Sequence, residues 1–317
     1  MTKLDSYGPG LVKAGALSTL VLQNSALALV MRYTRTASAT PQTMYIPTTA
    51  VVMAEAIKVA VALAMQLRGD GSLGKLRSTV HLETIGQPLE FLKMAVPALL
   101  YTLQNNLSYV ATSHLDGPTY QIICQSKILI TALLSVLILQ RSLTRRKWVS
   151  LVVLTAGVGM VQLSSTEVSS NRHENSALGF ASAFLLCLFS GLAGVYFELV
   201  LKGTKTSLWM RNIQLGSYGI VIGLAGVLLK DAQAVAERGF FSGYNAVVWI
   251  CICLHSLGGL AVAVVVKYAD NVVKCFATSI SIVLSCVLSM ALFDMKASRA
   301  FMLGTSLVLG ATYLYNT

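Results

Sequence analysis

Charged side chains are rare in the long apolar runs of this 317-residue chain, and those that occur there invite a chemical reading. An ionisable group inside a bilayer costs about 2.5–3.5 kcal/mol on insertion scales, so each needs a partner or a polar cavity. Glu55 and Lys58 are spaced i,i+3 on one helical face and can neutralise one another. An internal ion pair and a place beside a ligand both remain open for them. Lys127, in Gln121-Ile-Ile-Cys-Gln125-Ser-Lys127, has no acid three or four residues away. An ammonium in that setting points to an exchangeable anion such as phosphate, with Glu198 on another helix as the alternative partner. Lys274 opens a later apolar run, where a lysine is ordinarily a snorkelling anchor. If the two runs are equivalent members of a repeat, however, both lysines face one cavity and clamp a phosphate or pyrophosphate as point charges.

Neutral amides accompany the lysines: Gln104, Asn105 and Asn106, then Gln121 and Gln125, then Asn212 and Gln214. Their donors and acceptors suit a base edge or sugar hydroxyls, and equally suit hydrogen bonds that glue helices together. The small-residue spacing Gly191-Leu-Ala-Gly194 and the pair Gly258-Gly259 read as close helix packing. The six cysteines show neither metal-ligand nor disulfide spacing, and the four histidines are dispersed. No HExxH, GxSxG, phosphate-loop or dinucleotide fingerprint appears, and the acids form no catalytic cluster, which disfavours a membrane-embedded enzyme. No cofactor is expected.

The elements that must position these residues follow from composition. Hydrophobic residues make up 55% and charged residues only 12%, against roughly 25% charged in soluble domains, so lipid must replace much of the solvent. At roughly 20 residues per span, about ten helices use the whole length. The expected spans are 11–33, 45–67, 90–112, 116–139, 146–164, 177–201, 209–229, 246–268, 272–293 and 298–315. The first is read as a retained span and not a cleaved leader. Tight hairpins separate the third from the fourth and the eighth from the ninth. The long polar loops fall at 68–89 and 165–176.

Lysine and arginine bias puts both termini in the cytosol. That side collects Lys3, Lys13, Arg68, Lys75, Arg77, Lys93, Arg141, Arg145, Arg146, Lys147, Lys202, Lys205, Arg211, Lys267 and Lys274. The other side has Arg32, Arg35, Arg172, Lys230, Arg238, Lys296 and Arg299. The net charge of +11 is thus loop anchoring; no basic stripe with interleaved aromatics supports nucleic-acid binding. One transmembrane domain (1–317) is expected, with five spans on either side of the 165–176 loop. The halves, 11–164 and 177–315, would enter the membrane in opposite senses, as in inverted-repeat transporters.

Taken in order, the residues resemble the Golgi nucleotide-sugar transporter family, the branch of the drug/metabolite transporter superfamily carrying UDP-galactose, UDP-N-acetylglucosamine and CMP-sialic acid. The resemblance runs through Arg32-Tyr33, Thr48-Thr-Ala-Val-Val-Met-Ala-Glu55 and Val96-Pro-Ala-Leu-Leu-Tyr-Thr-Leu-Gln-Asn-Asn106. It continues in Gly191-Leu-Ala-Gly-Val-Tyr196-Phe-Glu198, Trp209-Met-Arg-Asn-Ile-Gln214 and Gly239-Phe-Phe-Ser-Gly-Tyr244. Val265-Val-Lys-Tyr-Ala-Asp-Asn271, Lys274 and Ala277-Thr-Ser-Ile-Ser-Ile-Val283 complete it.

The resemblance implies an all-α membrane protein of ten helices in two inverted halves, and exchange of a nucleotide-sugar for a nucleoside monophosphate across the Golgi membrane. It implies phosphate contacts at Lys127 and Lys274 and nucleotide contacts at Asn105, Tyr120 and Asn212, and Tyr196 falls within a matching segment. In Asn212-Ile-Gln-Leu-Gly216-Ser-Tyr218, glycine and an aromatic follow the UDP-sugar pattern, where CMP-sialic acid carriers have tyrosine and serine. UDP-galactose with UMP is therefore the expected pair, with UDP-N-acetylglucosamine/UMP and CMP-sialic acid/CMP as alternatives. Departures include Cys124-Gln125-Ser126 before Lys127, where the family usually has Tyr-Gln-Leu. Membrane lipids, a homodimer and a glycosyltransferase complex are the further partners considered, and a non-transporting glycosyltransferase tether is the alternative from another class.

Overall fold

The computed structural model describes residues 9–37, 45–164, 176–293 and 298–316. Every regular element among them is a helix: α1 (Pro9–Ala37), α2 (Pro47–Asp70), α3 (Leu73–Thr84), α4 (Pro88–Lys93), α5 (Ala95–His114), α6 (Gly117–Leu139) and α7 (Arg145–Ser164), followed by α8 (Ser176–Gly203), α9 (Leu208–Lys230), α10 (Ala232–Arg238), α11 (Ala246–Tyr268), α12 (Asn271–Phe293) and α13 (Arg299–Asn316). Seven of these are long and apolar enough to cross a membrane: α1, α2, α6, α8, α9, α11 and α12. The protein is a multi-pass α-helical membrane protein.

Local chemistry sets the helix ends. Pro47 sits in the first turn of α2, where its missing N–H costs nothing, and Gly71 closes that helix at φ +76°. The Asp116 carboxylate accepts from Thr119 N at 3.0 Å at the start of α6. The Ser207 hydroxyl caps α9 through Met210 N at 3.0 Å, and Asp270 Oδ1 caps α12 through Val273 N at 2.7 Å. Both tight hairpins expected from the sequence separate distinct helices, at 115–116 and 269–270.

Two expectations are corrected. The helix expected as the third span begins at Ala95 and not at 90, because the chain breaks at Met94 after the short α4. Pro97 explains the break: it lacks an N–H, and its ring crowds the carbonyl four residues earlier. The 68–89 stretch is no simple loop; it carries α3, capped where Ser72 Oγ accepts from Lys75 N at 3.3 Å. The other long polar stretch, 165–176, lies almost wholly outside the described residues.

The chain divides into two compact units, Met1–Ala98 with Leu201–Tyr268, and Leu99–Val200 with Ala269–Thr317. Each unit draws helices from both sequence halves. In the first, α1 meets α11 where Gln23 Nε2 donates to Leu254 O at 2.9 Å, over Gly258. The helix α2 lies on α9, with Val52 against Gly223 and Val59 against Gly216. Ala54, Val248 and Ile252 form a small core between α2 and α11. The second unit has a larger core of Ile128, Leu151, Leu154, Val158, Phe276, Val308 and Tyr315, built from α6, α7, α12 and α13. There Gly157 and Gly304 bring α7 and α13 close, since a Cβ on Gly157 would lie 3.0 Å from Gly304 O. Gly191 packs under Ile130, Thr131 and Leu134, and Gly194 under the Asn271 side chain, the packing role their spacing implied.

Candidate functional site

In the second unit, Lys127 on α6 and Lys274 on α12 line one cavity of about 90 Å³. Its other polar walls are Gln125, Thr131, Ser190, Thr278 and Ser279. Thr131 and Thr278 each lie one helical turn beyond a lysine, on its own face. The Thr278 hydroxyl donates to Lys274 O at 3.0 Å, and Ser279 Oγ to Cys275 O at 2.9 Å, so those hydrogens are used within the helix and the oxygens keep lone pairs. Gln125, nearly buried, donates to Gln162 on α7. Among the described residues, no acid lines this cavity.

The acid proposed from sequence as a partner for Lys127 is engaged elsewhere. Glu198 on α8 is 0% exposed, receives Arg141 Nη2 at 2.6 Å, and accepts from Asn271 N at 3.0 Å. Arg141 also reaches Asp270 Oδ2 at 3.2 Å. This network fixes the first turn of α12 immediately before Lys274. Sequence reading missed it, because Arg141 counted only as a loop anchor and its partner is 57 positions away.

Other predicted residues of this unit are spread along α5, α6 and α8. The Tyr120 hydroxyl shares a hydrogen bond with Ser108 at 2.8 Å. Gln104 has a buried Oε1 with no partner, Asn105 is exposed, and Gln121 and Tyr196 are half-buried. Asn106 donates back to Thr102 O at 2.9 Å.

The first unit holds the remaining predicted residues in a different setting. Glu55 and Lys58 form an ion pair on α2, with Lys58 8% exposed. Glycines of α9 and α11 floor it: a Cβ at Gly219 would come 2.6 Å from Glu55 Oε2, and one at Gly259 would come 3.0 Å from Lys58 Cδ. At Gly216 a Cβ would meet Val59 at 2.5 Å, so this glycine serves helix approach. Asn212 is 2% exposed and donates to Leu208 O at 2.8 Å within its own helix. Tyr218 stacks on Phe91, with centroids 4.7 Å apart and planes at 24°.

The start of α9 also carries a buried hydrogen-bond network that joins it to α3 and α4. Arg211, 0% exposed, donates to Glu90 Oε2 at 2.7 Å, Glu90 O at 3.1 Å, Thr204 Oγ1 at 3.0 Å and Gln214 Oε1 at 2.8 Å. Gln214 Nε2 donates to Glu83 O at 2.8 Å. Hydrogen bonds from Lys93 and Arg211 hold the Glu90 carboxyl below its usual range, whereas burial pushes that of Glu83 up.

The sequence model of the nucleotide-sugar transporter family matches residues 10–316. The chain belongs to this family. Among curated relatives of this nucleotide-sugar transporter, the UDP-galactose translocator of Homo sapiens is 46% identical over 329 residues, covering 98% of this chain and 82% of the relative. The UDP-N-acetylglucosamine transporter of Rattus norvegicus is 45% identical over 306 residues, covering 95% and 94%. A solved structure superposes with a TM-score of 0.68 at 14% identity over 95% of each chain, which shows a shared fold.

Proposed function

We propose that this nucleotide-sugar transporter is an antiporter of the Golgi membrane that imports a UDP-sugar, UDP-galactose foremost, in exchange for UMP. Ten spans in two inverted halves, 11–164 and 177–315, with both termini cytosolic, form the framework of this reading. The observation that carries it is the placing of Lys127 and Lys274 on one small cavity with no acid in its wall. The similarity to UDP-galactose and UDP-N-acetylglucosamine carriers supports the choice of nucleotide.

The chemistry follows from charge. A UDP-sugar carries two negative charges on its pyrophosphate, and a phosphate monoester such as UMP carries about −1.5 to −2 at pH 7. Two lysines match either ligand as point charges that bind and release. Thr131, Ser190 and the second amide hydrogen of Gln125 supply further polar groups to the phosphate oxygens. Gln104, Asn105, Tyr120, Gln121 and Tyr196, on α5, α6 and α8, are assigned to base and sugar. In the other unit, Asn212, Gly216, Tyr218 and the Glu55–Lys58 pair are assigned to recognition through the shape of α9.

Exchange emerges from the same charges. An empty carrier would reorient with two cations lacking counter-ions, at about 2.5–3.5 kcal/mol each. A total on the order of 5 kcal/mol slows empty return roughly 10³- to 10⁴-fold. The test is uptake of labelled UDP-galactose by purified protein in vesicles preloaded with UMP, set against empty vesicles. Uptake should require internal UMP and fall on addition of excess UDP-N-acetylglucosamine more than of CMP-sialic acid. Equal uptake into empty vesicles would overturn exchange, and no uptake at all would favour a non-transporting partner of a glycosyltransferase.

A further inference from the structure

The hairpin formed by α3 and α4 has a surface that the transport reading leaves unused. It lies between the ends of two apolar helices, since α2 closes at Asp70 and α9 opens at Leu208, and Ser207 Oγ joins Gln66 Oε1 at 2.6 Å. Its charges are sorted by sign. Each acid is engaged: Asp70 accepts from Gln66 at 3.1 Å, Glu83 is half-buried beside Thr206, and Glu90 is bound by Arg211 and Lys93. The bases Arg68, Lys75, Arg77 and Lys205 are all exposed. Lys205 sits between Thr204 and Thr206, both of which touch the same network. Beside these cations, Leu73, Leu82, Ile85, Leu89 and Leu92 stand exposed, Leu89 at 76%.

A hairpin that exposes both cations and leucines, at the level where spans end, is complementary to acyl chains bearing anionic headgroups. We propose that Arg68, Lys75, Arg77 and Lys205 bind the headgroups of anionic phospholipids in the leaflet at this end of the molecule. The leucines and Ile85 anchor the hairpin among the upper acyl carbons. Because Arg211, Gln214 and the Phe91–Tyr218 stack bolt the hairpin to α9, occupied headgroup sites steady the start of that helix.

Lipid association measured by electron spin resonance tests this without recourse to transport. The purified full chain is placed in phosphatidylcholine membranes with spin-labelled phosphatidylserine or spin-labelled phosphatidylcholine, and the motionally restricted fraction is compared. The wild type should prefer phosphatidylserine about twofold or more. The preference should vanish in 1 M salt, where the Debye length is about 3 Å. It should also vanish in the R68Q/K75Q/R77Q/K205Q variant, whose thermal unfolding and nucleotide-sugar uptake in neutral lipid should match the wild type. A variant that keeps the wild-type selectivity, or a wild type with none, would overturn the proposal.

Discussion

The two units place lysine in apolar helices under opposite conditions. In the first, Lys58 is paired with Glu55 on its own helix and cushioned on glycines, so its charge is cancelled within the protein. In the second, Lys127 and Lys274 share a cavity with no acid in its wall, and the nearby carboxylate of Glu198 is committed to Arg141 and the start of α12. On the proposed reading, the same residue type serves as a paired ion that shapes the pocket wall or as half of an anion site, depending on whether a partner was built in. The difference should show in stability: removing Lys58 strands a half-buried acid, whereas removing Lys127 strands no carboxylate in the cavity wall.

Substituting each lysine by methionine makes that contrast measurable. Lys58→Met should lower stability by about 3–5 kcal/mol, because breaking a buried pair leaves Glu55 uncompensated. Adding Glu55→Gln to Lys58→Met should return most of the loss. Lys127→Met should leave thermal unfolding in detergent unchanged or raise it. A Lys127→Met loss as large as that of Lys58→Met would erase the distinction. Next in size is Gly219→Ala, which drives a methyl into the Glu55 carboxylate and should cost about 1–3 kcal/mol by overpacking. The same change at Gly226, which meets no neighbouring atom within 4 Å, should be close to neutral.

The smallest effect concerns pH at the α3–α4 hairpin. The Glu83 carboxyl is held above the ordinary 4.5 and that of Glu90 below it. On acidification Glu83 takes its proton first, which relieves a half-buried charge and tightens the hairpin. Further acidification neutralises Glu90 and releases Arg211 and Lys93, so that support is complete above the usual carboxylate range and fades as pH falls through the lowered value. Backbone hydrogen exchange over 73–93, corrected for intrinsic rates, should therefore show greatest protection near the ordinary carboxylate pKa. Glu90→Gln should remove the acid-side loss.

The long helices were the most readable part of the sequence, because apolar length and intervening polar residues mark them, and seven of the ten expected spans are long and apolar enough to cross a membrane. Even the two tight hairpins were marked, one by Gly117-Pro118 and the other by Ala269-Asp270. The helix α3 escaped notice because twelve mostly polar residues carry no apolar run; Ser72 as a cap was the available signal. Pro97 should have moved the start of the third expected span, since a proline fits the first turn of a helix but breaks its interior. At the candidate site the lysines were legible from cost alone. Their matching spacing, Lys127 with Thr131 and Lys274 with Thr278, was present in the sequence and passed unread. Arg141, Glu198 and Asp270 were not legible as a unit, because their meeting depends on the packing of α8 against the start of α12. Asn212 and Gly216 were named for the ligand; their local roles, one bonding its own helix and the other admitting Val59, were not legible in the sequence.

On the proposed reading, Lys127 and Lys274 together hold the phosphates. Equilibrium binding of labelled UMP to purified wild type, Lys127→Gln, Lys274→Gln and the double variant measures this directly. Each single change should weaken binding by roughly 10- to 100-fold, as expected for a lost charge-assisted hydrogen bond, with unfolding temperatures unchanged. The double variant should lose less than the product of the two single effects, because both lysines act on one anion. Wild-type affinity in either single variant, or full additivity in the double, would contradict a shared phosphate site.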